Sequence, residues 1–151
     1  MRRRRERGFT LVELMLAVLI VGVLTAIALP AFNRYIDRTR ADRAQVDIAA
    51  LAVLIDMYHQ NHGEYPSSLA IIGEGGRRDP WGNPYQYLNL SAPGARGHAR
   101  KDHSLVPINT DFDLYSMGPD GRSSPPLTAR HSRDDIVRAN NGKYVGVASG
   151  Y

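Results

Sequence analysis

At 151 residues the chain has room for one modest domain beyond any anchor, and without a cysteine no disulfide can fasten it. Its formal charge of +4 points to acidic partners, but Arg2, Arg3, Arg4, Arg5 and Arg7 crowd the start beside Glu6; beyond them the 19 Lys and Arg and 15 Asp and Glu fall to 14 of each. A balanced remainder excludes the basic footprint that nucleic-acid binding requires.

The run FTLVELMLAVLIVGVLTAIAL, residues 9–29, follows that basic leader and ends at Pro30. As a helix it would reach about 32 Å, enough to cross the hydrocarbon of a bilayer. Arginines beside such a helix stay cytoplasmic, which sends the C-terminal domain across the membrane. Ala26-Ile27-Ala28 has the small residues of a secretory cleavage site, yet the run is longer than a signal core and a helical pattern continues past Pro30. Within the run stands Glu13. A carboxylate in mid-membrane costs on the order of 2.5 to 3.5 kcal/mol, so this residue is expected to face a partner or serve a function.

Gly8-Phe9-Thr10-Leu11-Val12-Glu13-Leu14, between a basic leader and an unbroken apolar run, resembles the class III signal of type IV pilins and type II secretion pseudopilins. The resemblance implies that a prepilin peptidase cuts after Gly8 and methylates the new N-terminus at Phe9. It also makes Glu13 the fifth residue of the processed chain. Cleavage creates an ammonium at Phe9, and a buried carboxylate paired with a cation escapes much of its desolvation cost. If subunits stack with a small axial shift, Glu13 of one approaches the Phe9 amine of the next and sets register. The alternative is a Glu13 that snorkels or meets its own chain's amine.

Past Pro30, Ala44, Ile48, Leu51, Ile55 and Tyr58 form an apolar stripe at helical spacing, with Arg40, Asp47 and Asp56 outside it. One helix is predicted over 9–61, bent or weakened near Gly22 and Pro30, because Pro30 cannot donate to the carbonyl of Ala26. Gly63 suits its cap and Pro66 blocks continuation. His59 and His62 have zinc-like spacing, but no further Cys or His cluster completes a site, so they read as surface histidines. Residues 67–78 form a linker or short helix. Asp79-Pro80-Trp81-Gly82-Asn83-Pro84 packs turn formers that position Trp81 as a plug over the helix. Strands follow at 85–90 and 112–117, separated by a mobile polar loop SAPGARGHARKD, and Asn140-Asn141-Gly142 opens a hairpin into a last strand. Asp111 and Asp113 alternate with Phe112 and Leu114. They also fit the carboxylate pair of sugar-nucleotide transferases, but no nucleotide-binding α/β unit accompanies them.

The expected fold is α+β and pilin-like: a long N-terminal transmembrane or spine helix packed on a small antiparallel sheet. Residues 1–8 are a cleaved leader, 9–29 the transmembrane helix, 30–62 its amphipathic continuation and 63–151 a periplasmic α+β domain.

The tracts YHQNHGEYPSSL and DPWGNPYQY resemble the G-type major pseudopilins of type II secretion, which extends the likeness along the whole chain. Gly118-Pro119-Asp120-Gly121 makes a tight turn, and carboxylates mixed with backbone carbonyls suit calcium better than zinc. The resemblance implies a calcium ion held by the side chains of Asp120 and Asp134 and the carbonyls of Met117, Ser132 and Ile136. The loop here is longer than the family's, carrying Ser123-Ser124-Pro125-Pro126, so either Asp134 or Asp135 fits as ligand and the part of Ser132 stays open. Without metal, Asp120 is a turn residue and the paired acids cap a local element.

The resemblance therefore implies a structural subunit, not an enzyme: inserted in the inner membrane and polymerised with its own copies and minor pseudopilins into a periplasmic pseudopilus. A membrane platform driven by a cytoplasmic ATPase would assemble it to move secreted proteins across the outer membrane. No phosphate-binding loop or nucleophile with an oriented base is evident in the chain. A type IV pilin or competence pseudopilin shares the leader, although many such pilins close the C-terminal region with a disulfide that this chain lacks. A periplasmic binding module cleaved after Ala28 is the alternative of a different class.

Overall fold

A computed structural model describes residues 8–151, and the leader arginines lie outside them. Helix α1 spans Leu11–His62. Its helical state is unbroken at Gly22 and Pro30, where the sequence predicts a bend or a weak point. Side chains adapt locally: Thr25 Oγ1 donates to the Val21 carbonyl at 2.7 Å, and Arg34 Nε to that of Pro30 at 3.2 Å. The carbonyl of Ala26 still faces an imino nitrogen with no proton. In the full chain in detergent, amides of residues 27–31 are expected to exchange faster than those of residues 16–22. Equal protection would show that the helix absorbs Pro30 without weakening.

Two compact units divide the chain, the first ending at Arg38 and the second spanning Thr39–Tyr151. In the first, apolar side chains from Phe9 to Phe32 stand exposed all round the helix. That pattern belongs in lipid or against other helices. The helix is long and apolar enough to cross a membrane.

In the second unit the predicted stripe becomes core. Ala44, Ile48, Leu51 and Ile55 are wholly buried against Leu69, Tyr85, Phe112, Leu114 and Ile136. The helix ends as expected, with Gly63 at φ 76° donating its N–H to the His59 carbonyl at 2.8 Å. Four strands, β1 Gln86–Asn89, β2 Phe112–Ser116, β3 Ile136–Ala139 and β4 Tyr144–Val147, form an antiparallel meander in chain order. The β3–β4 turn carries Asn140, Asn141 and Gly142 at φ 51°, 54° and 86°. Asparagine and glycine are the residues that tolerate that region.

The far face of the sheet overturns one expectation. Ile108, Leu127, Val137, Ala139 and Ala148 form a second core there, covered by the long β1–β2 and β2–β3 connections. The predicted mobile loop SAPGARGHARKD is packed at its C-terminal end: Ala95, Ala99 and Arg100 are buried while residues 91–94 and 96–98 stay exposed, and Lys101 exchanges backbone hydrogen bonds with Pro125 and Leu127. Asp113 alternates with Phe112 and Leu114, as the strand pattern predicts, but the side it faces is protein, and it is 1% exposed.

Candidate assembly and metal sites

Thr10 precedes the first turn of α1. Its N–H and hydroxyl donate to Glu13 Oε2 at 2.9 and 2.8 Å, and the Glu13 N–H donates back to Thr10 Oγ1 at 3.2 Å. This reciprocal arrangement is a capping box, which satisfies amides that the first turn would leave without partners. The T-x-x-E spacing signals it in the sequence, where Glu13 is read for its charge alone. Both Thr10 bonds to the carboxylate fall on Oε2, leaving Oε1 toward the exposed surroundings. Gly8 and Phe9 lie just before the helix, with Phe9 86% exposed.

His59 and His62 do not converge. His59 stacks on Tyr65 at 4.1 Å and His62 on Tyr58 at 4.0 Å. Among the described residues no group of three or more His, Cys, Asp or Glu is placed to hold a metal. Any site at the acidic turn must therefore draw on backbone oxygens as well as carboxylates.

The DPWGNP turn builds that corner. Asp79 Oδ1 accepts from the N–H groups of Trp81 and Asn83 at 3.0 and 2.8 Å, which closes the turn. Asp79 Oδ2 accepts from Ser116 Oγ at 2.5 Å, and Asn83 Nδ2 donates to the Gly118 carbonyl at 3.0 Å. The motif read as a seat for Trp81 thus also pins the end of β2. Trp81 is partly buried against the helix-side core, as expected.

Gly118, at φ 63°, lies against the acidic segment. A Cβ there would fall 2.4 Å from the Asp134 carbonyl oxygen and 3.2 Å from its Oδ2. Only glycine lets the two loops approach so closely. Met117 and Asp120 flank this contact on one loop, and Ser132, Asp134 and Ile136 lie along the other. Asp120 is exposed; its Oδ1 accepts from the Arg122 N–H at 2.8 Å, and its Oδ2 lies 3.4 Å from His131 Nδ1. Ser132 is buried, exchanging hydrogen bonds with Ser124 through its hydroxyl. Ile136 opens β3 between Ser116 and Val147. The residues after β4 strap the same segment, with the Ala148 and Ser149 amides donating to the Asp135 and Arg133 carbonyls at 2.8 and 3.1 Å.

The two neighbouring acids differ in role. Asp135 is fully buried, and its Oδ2 accepts from Arg100 Nη2 and Ser123 Oγ, each at 2.6 Å. Its Oδ1 is buried without a hydrogen-bond partner. Burial pushes the Asp135 carboxyl above its ordinary value, outweighing the hydroxyl and arginine that favour the anion. Asp134 is only partly buried and faces Gly118. Asp111 and Asp113 point to separate partners and do not form a metal pair. Asp111 takes the fork of Arg138 at 2.9 and 2.6 Å. Asp113 accepts from the Arg100 N–H at 2.6 Å and Asn109 Nδ2 at 2.9 Å, and burial raises its carboxyl too.

The family described as the prokaryotic N-terminal methylation motif matches residues 3–29. The chain is 36% identical over 143 residues to the type II secretion system core protein G of Pseudomonas aeruginosa, covering 81% of this chain and 89% of that one. The protein of the same name from Klebsiella pneumoniae is 33% identical over 163 residues, covering 93% and 99%. A fimbrial protein of Neisseria meningitidis is 37% identical over 85 residues, covering 56% of this chain and 50% of its own. No solved structure matches.

Proposed function

This chain belongs to the type II secretion system core protein G family, and on that premise we propose that it is the repeating structural subunit of a pseudopilus that helps move folded proteins out of the cell. The observation that carries this reading is the junction of two features: a methylation-motif N-terminus and an exposed apolar helix headed by a capped Glu13. The fimbrial likeness covers about half of each chain, whereas the core protein G likeness extends through the sheet domain, so the secretion reading is preferred over a surface pilus.

On this reading the precursor sits in the inner membrane with its C-terminal domain in the periplasm. Prepilin peptidase cuts after Gly8 and methylates Phe9. Copies then join one another and minor pseudopilins on an inner-membrane platform, and the chain itself catalyses nothing. Mass spectrometry of membrane-extracted protein is expected to show loss of Met1 to Gly8 and gain of one methyl group. A mature chain beginning at Leu29 would overturn this reading in favour of a cleaved secretory signal.

Calcium belongs to the same proposal. The Gly118 cradle supports it by bringing the Asp134 carboxylate onto the turn that carries Met117 and Asp120. Asp134 is the better acid, because the Asp135 carboxylate lies against a guanidinium that repels a second cation. Asp120 and Asp134 would supply charged oxygens, and the Met117, Ser132 and Ile136 carbonyls would complete a hard-oxygen shell. A bound ion would tie the two loops together. Ligand at about a hundred times its Kd adds roughly 2.7 kcal/mol, so calcium should raise Tm by several degrees. Asp134→Ala is expected to abolish that rise and Asp135→Asn to retain it. Coincident melts in calcium and chelator would remove the metal from the account.

A further inference from the structure

We infer that Arg100 is a built-in cationic clasp that closes the long β2–β3 connection without any metal. That connection, residues 117–135, must be held across its own length, and no disulfide is available. Arg100 is 3% exposed and comes from the far side of the sheet. Its Nη1 donates to the Ser123 hydroxyl and, at 2.8 Å, to the Ser124 carbonyl near the loop's middle. Its Nη2 donates to Asp135 at 2.6 Å, at the loop's end. Ser123 Oγ donates to the same Asp135 oxygen, which closes a ring of three side chains.

One planar cation thus bridges two points of the loop eleven and twelve residues apart, a task suited to guanidinium geometry and beyond a single ammonium. The clasp is itself braced. The Arg100 N–H donates to buried Asp113, the Arg100 carbonyl accepts from the Ile108 N–H at 3.0 Å, and the guanidinium stands 4.3 Å from the Tyr115 ring centre. None of these contacts involves Gly118 or Asp134; the one shared neighbour is Ser132, whose hydroxyl donates to the same Ser124 carbonyl and whose own carbonyl is the atom proposed for the corner. The two fastenings are therefore separable: loop closure persists when calcium is withdrawn, and the domain keeps its far core at calcium levels too low to fill the corner.

The test is hydrogen exchange by mass spectrometry on the full mature chain in detergent, with saturating calcium and with chelator. In the wild-type chain, peptides covering residues 122–132 are expected to keep their protection in both conditions. In Arg100→Met they should exchange at least about tenfold faster even in calcium, while peptides over residues 44–55 stay protected. If Arg100→Met unfolds globally, the double variant Arg100→Met with Asp135→Leu removes both charges and keeps the site apolar, a replacement that is often neutral for a buried pair. The loop should open in that variant while the helix remains protected. Unchanged loop protection in these variants overturns the inference. So does wild-type loop exchange that rises on chelation alone to the variant's level, which would make the metal the clasp. The calcium reading is judged separately, by the wild-type melting shift.

Discussion

Replacing Glu13 with leucine is expected to leave the precursor inserted and cut after Gly8 while reducing pseudopilus formation at least about tenfold. Leucine removes the cost of a membrane-buried carboxylate, on the order of 2.5 to 3.5 kcal/mol, so the isolated subunit should insert more readily. A defect confined to assembly would then report a partner that appears only between subunits. The geometry sharpens the comparison. Glu13 caps its own helix through Oε2, and on the proposed reading it would also offer a charge to a neighbour's Phe9 ammonium. Thr10→Ala removes the cap and keeps the charge, costing about 1 kcal/mol of local helix stability and leaving assembly largely intact. Glu13→Gln keeps much of the cap without the charge and should fail as leucine does. Polymer yield, from shearing or crosslinking of cells that overproduce the system, separates the three. Normal yield and register from correctly trimmed Glu13→Leu subunits would leave the acid with capping alone.

The second large effect is on stability and lies at Arg138. This guanidinium is 4% exposed, forks onto Asp111, reaches the Phe112 carbonyl at 3.3 Å and stands 4.0 Å from the Phe112 ring centre. Arg138→Met leaves Asp111 unpaired beside the helix-side core. Breaking a buried pair by removing one partner costs about 3–5 kcal/mol, which in a domain of this size lowers Tm by roughly 10 °C or more. Thermal melts followed by circular dichroism measure it. Adding Asp111→Leu should recover part of the loss, because the stranded charge goes with it. A shift of Arg138→Met below about 3 °C would mean that water reaches Asp111 and screens the pair.

Several parts of this architecture were legible beforehand because they are local. The stripe Ala44, Ile48, Leu51, Ile55 is a period-3.6 pattern that any partner surface would bury, and it became the core seam. DPWGNP announces a turn by its residue types. The hairpin at Asn140-Asn141-Gly142 follows from tolerance of positive φ. Asp113 shows where such reading stops. Its alternation with Phe112 and Leu114 was correct, but alternation says only that two faces differ; a distant loop decided that the second face is dry. Arg100 was hidden in the same way, in a polar run whose composition reads as solvent-exposed, because the hydrogen-bond partners of its guanidinium lie 23 to 35 residues away.

By itself, then, the sequence determined the spine helix, its apolar N-terminal half and the kind of domain that packs on it, and it pointed to the proposed processing junction, since each rests on hydrophobic spacing or on residues adjacent in the chain. Tertiary structure alone decided which charges are internal and what each one holds. It gave Asp135 to Arg100, Asp111 to Arg138 and Asp134 to the Gly118 corner. The reason is physical: a charged side chain can leave water only where the fold delivers an opposite charge and hydrogen-bond donors to the same point, and that coincidence belongs to no single stretch of chain.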